Sequence, residues 1–243
     1  MSTAISILGK KLNKTFSKST LQRYLKEMGY SYKRVRLIPA KKPDQKLYEE
    51  KVKLLNKYEQ IANRDKINLY FFDESGFSVN SNIPYAWSPL KQTMVIKSFH
   101  AKRFNVLGFV NKRGDLHSTI CETSVKTATV VKVFNDFSKQ LTKPTIVVLD
   151  NASFHTSQDF KDNITKWANR GLTLFYLPPY SPELNIIEIL WKHIKYHWIE
   201  MSAYQGYASL KKYVQKTLNE YGDKRVINFS MYEKKFYPLV VCL

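Results

Sequence analysis

The stretch Thr145-Ile146-Val147-Val148-Leu149-Asp150-Asn151 determines the fold class that the sequence predicts. Its first five residues form a near-continuous apolar run, which is typical of a buried strand in a parallel sheet. A helix-like segment at 157–169 and a second apolar run at 172–177 come next. A strand, a helix and a strand in this order predict two parallel strands in one sheet.

The chain before this stretch adds strands that pair in the antiparallel direction. Two β-prone runs, at 104–110 and 116–121, flank a turn signal that contains Gly114, and this arrangement is typical of a hairpin. A further β-prone run at 67–72 ends in Asp73. Helices are predicted at 45–64, 125–141 and 157–169. The expected fold is therefore α/β: a mixed sheet flanked by helices and preceded by a small basic helical segment.

The composition indicates a folded, basic protein. The chain has 243 residues, of which 44% are hydrophobic, so it can bury a core and is not a disordered chain. Its 39 Lys and Arg against 20 Asp and Glu give a formal net charge of +19. This excess favours a polyanionic partner such as nucleic acid.

Three other classes of protein are disfavoured. No run of about 18 apolar residues occurs, so neither a membrane-spanning helix nor a membrane partner is predicted. The first residues lack the apolar core of a signal peptide. The two cysteines, Cys121 and Cys242, lie too far apart in the sequence for a cysteine-based zinc site. The expected localisation is cytoplasmic and associated with the nucleoid.

The positive charge is densest at the amino-terminal end. Residues 1–66 carry 17 Lys and Arg and 6 Asp and Glu, a net charge of +11. An amphipathic helix is predicted here, with Ser19 as its N-cap and a buried stripe that includes Tyr24 and Met28. Candidate DNA contacts lie on and after this helix: Arg23, Lys26, Lys33, Arg34 and Arg36. The recognition helix of a helix-turn-helix and an ordinary solvated helix are equal alternatives at this point.

Three acids follow predicted strands. Asp73 and Asp150 each end a strand, and Glu188 lies early in a helix after a third strand. In open α/β sheets, ligands bind at the carboxyl ends of the strands. Clustered carboxylates repel one another and need a cation, and two Mg²⁺ or Mn²⁺ ions can clamp the reacting oxygens of a phosphodiester. Turn-forming aspartates and a solvated glutamate are the alternative, which the combination of three such acids with the basic composition disfavours.

Each acid lies in a longer motif. The motifs are Phe71-Phe72-Asp73-Glu74-Ser75-Gly76-Phe77, Val148-Leu149-Asp150-Asn151-Ala152-Ser153-Phe154-His155 and Leu177-Pro178-Pro179-Tyr180-Ser181-Pro182-Glu183-Leu184-Asn185-Ile186-Ile187-Glu188-Ile189-Leu190-Trp191. In this order, with 37 residues between Asp150 and Glu188, they resemble the three catalytic blocks of DDE transposases. The resemblance is to the mariner-like superfamily and its bacterial insertion-sequence relatives, and it covers roughly residues 15–230.

The resemblance implies a ribonuclease-H-like fold and a transposase that cuts and joins DNA. Asp73, Asp150 and Glu188 would be the catalytic, metal-binding triad for two Mg²⁺ (or Mn²⁺) ions, with Asp73 shared by both. Water and then a freed 3′-hydroxyl would attack the phosphodiester in line. Asn151 and His155 would support the site without binding metal. The implied partners are DNA, as transposon ends and target, and a second copy of the chain in a homodimer on DNA.

Two features depart from the family pattern. Ile186 stands where the family commonly has proline, and the chain begins near the end of the paired helix-turn-helix units of full-length relatives. The expected domains are a helix-turn-helix remnant with a linker at 1–44, a connecting helix at 45–66 and a catalytic domain at 67–243. Trp191 is expected to pack the helix of Glu188 against the sheet. An inactive, transposase-derived DNA-binding remnant and another ribonuclease-H-like nuclease are the alternative functions.

Overall fold

The computed structural model describes residues 2–30, 44–80 and 102–232. The chain divides into two compact units, residues 1–40 and 41–243, and each is described by itself.

The first unit contains two helices, α1 (Ser2–Leu12) and α2 (Lys18–Glu27). The N-cap of α2 is Ser17 and not the predicted Ser19, because the Oγ of Ser17 accepts a hydrogen bond from the Thr20 amide at 3.0 Å. The helix therefore begins two residues earlier than its capping-box pattern predicts.

The predicted buried stripe of α2 is wrong. Tyr24 is 46% exposed and Met28 is 62% exposed, because two short helices are too small to enclose a core. Of the five candidate DNA contacts, Arg23 and Lys26 are exposed on α2. The other three candidates lie outside the described residues: Lys33, Arg34 and Arg36.

The second unit is a five-stranded sheet with helices on both faces. The strands are β1 (Asn68–Ser78), β2 (Arg103–Val110), β3 (Leu116–Cys121), β4 (Thr145–Leu149) and β5 (Leu172–Tyr176). The helices are α3 (Gln45–Asn63), α4 (Thr127–Ser138), α5 (Gln158–Lys161), α6 (Ile164–Ala168), α7 (Ile187–His193) and α8 (Tyr207–Asn219). A π-helical turn (Ile194–Trp198) continues α7, and 3₁₀ turns occur at Pro182–Leu184, Met201–Gln205 and Phe229–Met231.

The sheet is mixed, as predicted. Its strand order is β3-β2-β1-β4-β5. The first three strands pair antiparallel, while β4 runs parallel to both β1 and β5. The antiparallel part comes from the predicted hairpin, and the parallel part from the strand–helix–strand segment.

Strand β1 is longer than its apolar run. It was expected to end at Asp73, but it continues through Gly76 to Ser78, so that Asp73 lies inside the strand. Pairing with β2 holds this extension in place, with Asp73 opposite Gly108 and Ser78 opposite Arg103. Gly76 permits the strand to continue because the Arg103 guanidinium lies where a side chain at this position would be.

Two cores cover the two faces of the sheet. Phe71 and Phe77 belong to the core that contains α3, α7 and α8, whereas Tyr70 and Phe72 belong to the core that contains α4, α5 and α6. Side chains on a strand alternate between faces, so the neighbouring acids of β1 also point to different layers. Asp73 and Glu74 therefore lie on opposite faces of the sheet and have different surroundings.

One predicted helix is divided. The segment expected as a single helix at 157–169 forms α5 and α6, which are separated at Asp162 and Asn163, and both residues favour turns over helix interiors. In the described parts of the chain, no helix combines the length and the apolar composition needed to cross a membrane.

Candidate active site

The three predicted acids line one open cavity of about 420 Å³. Asp73 comes from the middle of β1, Asp150 directly follows β4, and Glu188 lies in the first turn of α7. The last parallel pair of these strands is Phe71 opposite Val148, so Asp73 and Asp150 each lie two residues beyond it. The cavity is called the acidic cavity below, and its other lining residues are Asn151, Ala152, Leu177, Pro178, Pro179, Tyr180, Ser181, Pro182 and Asn185.

Trp191 holds the carboxylate of Asp73. The indole Nε1 donates a hydrogen bond to Asp73 Oδ2 at 3.1 Å, and the side chain is buried. Gly108, which pairs with Asp73 across the sheet, leaves the space for the ring, since a Cβ at this position would lie 3.0 Å from Trp191 Cη2. The expected packing role of Trp191 is therefore accompanied by a direct contact with the site.

The surroundings of Asp73 and Glu188 disfavour negative charge. Burial and then the charges of Glu188, Glu74 and Asp150 raise the pKa of Asp73 well above its ordinary value, although a backbone hydrogen bond opposes them. Partial burial and the charge of Asp150 also raise the pKa of Glu188, against the opposing effect of Lys195. A positive charge bound in the acidic cavity would stabilise both carboxylates and lower both pKa values.

A lysine lies beside the two carboxylates. Lys195 comes from the π-helical turn after α7, and its Nζ is 5.3 Å from the centroid of the Phe77 ring. Burial lowers the pKa of Lys195, while the charges of Glu188 and Asp73 act in the opposite direction. This ammonium group was not among the predicted site residues.

Asp150 is held differently from the other two acids. Its Oδ1 lies 2.9 Å from His155 Nδ1 and accepts a hydrogen bond from the Ala152 amide at 3.0 Å. Burial opposes ionisation, but these hydrogen bonds and the charge of His155 outweigh it and lower the pKa of Asp150. Asp150 therefore favours the carboxylate form, in contrast to Asp73.

The two supporting residues of the sequence prediction lie around Asp150. His155 is fully buried, and its second ring nitrogen, Nε2, lies 3.3 Å from Glu74 Oε1. Burial of the ring disfavours its charge, but the hydrogen bonds and charges of Asp150 and Glu74 raise the pKa of His155 to about 9. Asn151 Nδ2 donates to the Leu177 carbonyl at 2.7 Å, which ties the segment after β4 to the proline-rich loop.

Sequence reasoning missed Glu74, Lys195 and the polar role of Trp191. Glu74 directly follows Asp73, and strand alternation indicates that it faces the opposite layer, where His155 needs a partner. Trp191 and Lys195 lie three and seven residues after Glu188, which places both within two turns of the same helical segment. The spacing in the third motif therefore contained a signal for both residues.

The donor set fits a divalent metal ion completed by other ligands. Among the described residues, no group of three or more His, Cys, Asp or Glu side chains is arranged to hold an ion. Magnesium, however, is commonly bound by one or two carboxylates together with water and substrate phosphates, and the acidic cavity supplies such oxygens. Asn185 Nδ2 donates to the Phe72 carbonyl, but its buried Oδ1 has no donor within the described residues, and a bound water would satisfy it.

Comparison with solved structures shows the fold. The Mos1 transposase paired-end complex with left transposon end has a TM-score of 0.58 at 17% identity, covering 91% of this chain and 67% of the other. The Mos1 mariner paired end complex with Mn has a TM-score of 0.60 at 16% identity, with the same coverage of 91% and 67%. The fold is thus ribonuclease-H-like, as the sequence predicts.

Comparison of sequences shows the family. The uncharacterized protein y4pE/y4sA of Sinorhizobium fredii (strain NBRC 101917 / NGR234) is 34% identical over 64 residues, which is 26% of this chain and 42% of that protein. The chain therefore spans less than half the length of this relative. The DDE superfamily endonuclease family matches residues 68–211, which is more than half of the chain and includes all three acids. The chain therefore belongs to the DDE superfamily endonucleases.

Proposed function

We propose that the protein is a transposase that cleaves DNA strands and transfers them by in-line attack of water or a 3′-hydroxyl on a phosphodiester. The observation that carries this proposal is the meeting of Asp73, Asp150 and Glu188 in the acidic cavity. Two of these acids have raised pKa values, so the cavity favours a bound cation. Such pKa perturbation in a cleft is typical of functional sites.

The three acids share one task in this proposal, which is to bind metal ions. Asp73, Asp150 and Glu188 would hold two Mg²⁺ or Mn²⁺ ions, with Asp73 shared. Bound ions would supply Lewis-acid stabilisation of the charge that develops on the phosphate. Trp191 fixes the orientation of Asp73 through its hydrogen bond, and Lys195 adds a positive charge that interacts with Glu188 and Asp73.

The partners follow from the charge and from the reaction. DNA, as transposon ends and target, is the proposed substrate, and exposed Arg23 and Lys26 of α2 would contact its phosphates. The segment 1–44 would serve DNA binding and 67–243 catalysis. Joining two transposon ends needs two active sites, so we propose a homodimer on DNA, in the cytoplasm and associated with the nucleoid.

Replacement of Asp150 by asparagine tests this function. Asp150→Asn keeps the shape of the side chain but weakens a metal ligand, so Mg²⁺- or Mn²⁺-dependent cleavage of end-bearing DNA should fall by orders of magnitude. DNA binding should stay the same or tighten, because a repulsive charge is removed from a site that faces phosphates. The matched control is Asp136→Asn, which makes the same change at an acid of α4 that is 54% exposed and paired with Lys139.

The outcomes separate the candidate functions. Cleavage by the wild-type protein and by Asp136→Asn, together with its loss in Asp150→Asn, supports the transposase. Equal absence of cleavage in all three proteins, with DNA binding retained, supports the inactive remnant. Loss of DNA binding and of the folded state in Asp150→Asn would assign Asp150 a structural role and contradict the proposal.

A further inference from the structure

Glu74 is a largely buried acid whose side chain points to the opposite face of the sheet from that of Asp73. Its side chain is 12% exposed, and alternation along β1 places it on the layer of Phe72, opposite the layer in which Trp191 contacts Asp73. A buried carboxylate on a core face needs a hydrogen-bonding or charged partner. Its partner is His155, with Glu74 Oε1 at 3.3 Å from Nε2.

The ring of His155 is enclosed on several sides. It is fully buried, and its centroid lies 5.5 Å from that of Phe72, 5.0 Å from that of Phe154 and 5.7 Å from that of Phe160. The backbone is fixed as well, because Tyr176 donates its hydroxyl to the His155 carbonyl at 3.0 Å. The ring therefore has a fixed orientation, in which Nδ1 faces the carboxylate of Asp150 and Nε2 faces that of Glu74.

The far end of this arrangement is Asp150. Its side chain is 56% exposed, so packing alone does not set its rotation. His155 Nδ1 and the Ala152 amide both contact the same oxygen, Oδ1. Together they orient the carboxylate, so that Oδ2 is the oxygen directed away from this pair of donors.

We propose that Glu74 is a positioning residue of the active site, which acts through His155 to hold Asp150 in the orientation that binds a divalent cation. This inference rests on the proposed function in one respect, namely that Asp150 is a metal ligand. Glu74 touches neither substrate nor metal in this arrangement. Outer-shell partners of this kind commonly contribute 10- to 100-fold to metal affinity or activity.

The test is a double-mutant cycle on Mn²⁺ affinity. The wild-type protein, Glu74→Gln, His155→Gln and the double variant are titrated with Mn²⁺, and free ion is followed by electron paramagnetic resonance. Each single variant should bind Mn²⁺ about 10- to 100-fold more weakly than the wild type. The double variant should be no weaker than His155→Gln, because Glu74 acts only through the ring.

Controls separate positioning from a loss of stability. Val133→Ala removes buried volume from the same core, on α4, and should lower the melting temperature while it leaves Mn²⁺ affinity unchanged. Glu74→Asp keeps the charge but shortens the side chain, and it is titrated alongside. If Glu74→Gln does not unfold cooperatively, Glu74→Asp replaces it in the cycle, with the same expected loss of Mn²⁺ affinity and no further loss in the double variant. Loss of Mn²⁺ affinity in Val133→Ala in proportion to its melting temperature would overturn the inference.

Other outcomes also decide the question. The inference is contradicted if Glu74→Gln binds Mn²⁺ as tightly as the wild type. It is also contradicted if the losses of the two single variants add in the double variant, or if the wild type does not bind Mn²⁺. DNA cleavage is measured separately on the same proteins. A wild-type protein that binds Mn²⁺ with the expected cycle but does not cleave DNA would contradict the proposed function and leave this inference standing.

Discussion

Asp73→Asn should make the metal-free protein more stable. The pKa of Asp73 is raised by its burial and by the charges of Glu188, Glu74 and Asp150, so ionisation of this group opposes folding at neutral pH. Asparagine has the same shape and no charge. Its side-chain oxygen can still accept the hydrogen bond that Trp191 now donates to Asp73.

The gain has a ceiling that follows from the ordinary pKa of the group. A carboxyl with a usual pKa of 3.8 can take up a proton in the folded protein instead of remaining charged. The free energy of this protonation is therefore the largest penalty that burial of the group can cause. At pH 7 this costs about 1.36 kcal/mol for each unit between 3.8 and 7, or about 4 kcal/mol in all. For a chain of this size, about 4 kcal/mol corresponds to a rise in melting temperature of roughly 8–16 °C.

The sign of the pH dependence is fixed by the direction of the shift. Because the pKa is higher in the folded protein, the native state binds more protons than the unfolded state once the pH exceeds 3.8, and stability is lost as the pH rises towards the folded pKa. The advantage of Asp73→Asn should therefore be absent near pH 4 and grow towards neutral pH. Thermal unfolding followed by circular dichroism in EDTA, between pH 4 and pH 7.5, measures it.

Asp150→Asn is the matched control for this measurement. It removes the same charge from the same cavity, but the pKa of Asp150 is lowered, because its hydrogen bonds and the charge of His155 outweigh burial. Asp150→Asn should therefore lower the melting temperature slightly at neutral pH, with the difference lost as the pH falls through the folded pKa of Asp150. An Asp73→Asn variant that is less stable than the wild type at pH 7, or whose advantage does not depend on pH, would refute the reasoning.

Two further predictions concern the site and the basic surface. Trp191→Phe keeps a buried ring but removes the donor to Asp73, so the cleavage rate should fall about 10- to 100-fold with little change in DNA affinity; an unchanged rate in a single-turnover assay would count against the contact. DNA binding should weaken with salt at a log–log slope of about 0.9 per phosphate contacted, and Arg23→Ala and Lys26→Ala should each reduce that slope by about 1. A slope that neither replacement changes, measured by fluorescence anisotropy on a labelled duplex, would remove both residues from the interface.

The sequence predicts the fold best where a turn or a polar pair marks the boundary of a strand. Strands β3 and β4 have their predicted bounds, because a glycine-containing turn precedes one and a polar Asp-Asn pair follows the other. The end of β1 was predicted wrongly because the apolar run stops at Phe72, whereas pairing with β2 continues the strand to Ser78. Gly76 therefore lies inside the strand. Its actual role depends on Arg103, which lies on the neighbouring strand.

In the candidate site, too, local sequence predicts some features, and others depend on contacts made only in the folded chain. Sequence motifs identify Asp73, Asp150 and Glu188, and the fold brings all three to one cavity. The contact that orients Asp73 comes from a residue distant in sequence, since Trp191 lies 118 positions from it. His155 is close to Asp150 in sequence, but its second partner, Glu74, lies 81 positions away. Burial and the charges of Glu188, Glu74 and Asp150 raise the pKa of Asp73. The hydrogen bonds of Asp150 and the charge of His155 outweigh burial and lower the pKa of Asp150. Burial depends on the packing of the whole unit, which no local pattern specifies.

The fit of Trp191 against Gly108 bears on how copies of such a gene decay. Trp191 ends the third motif, whereas Gly108 lies on β2, outside all three motifs. A larger residue at 108 would displace the ring, since a methyl group there would already lie 3.0 Å from the indole. A copy no longer under selection could lose this glycine while its sequence still contains all three acids. For the proposed transposase function, related sequences that keep all three acids but have a larger residue at position 108 should be inactive, although a search for the acids alone would count them as active.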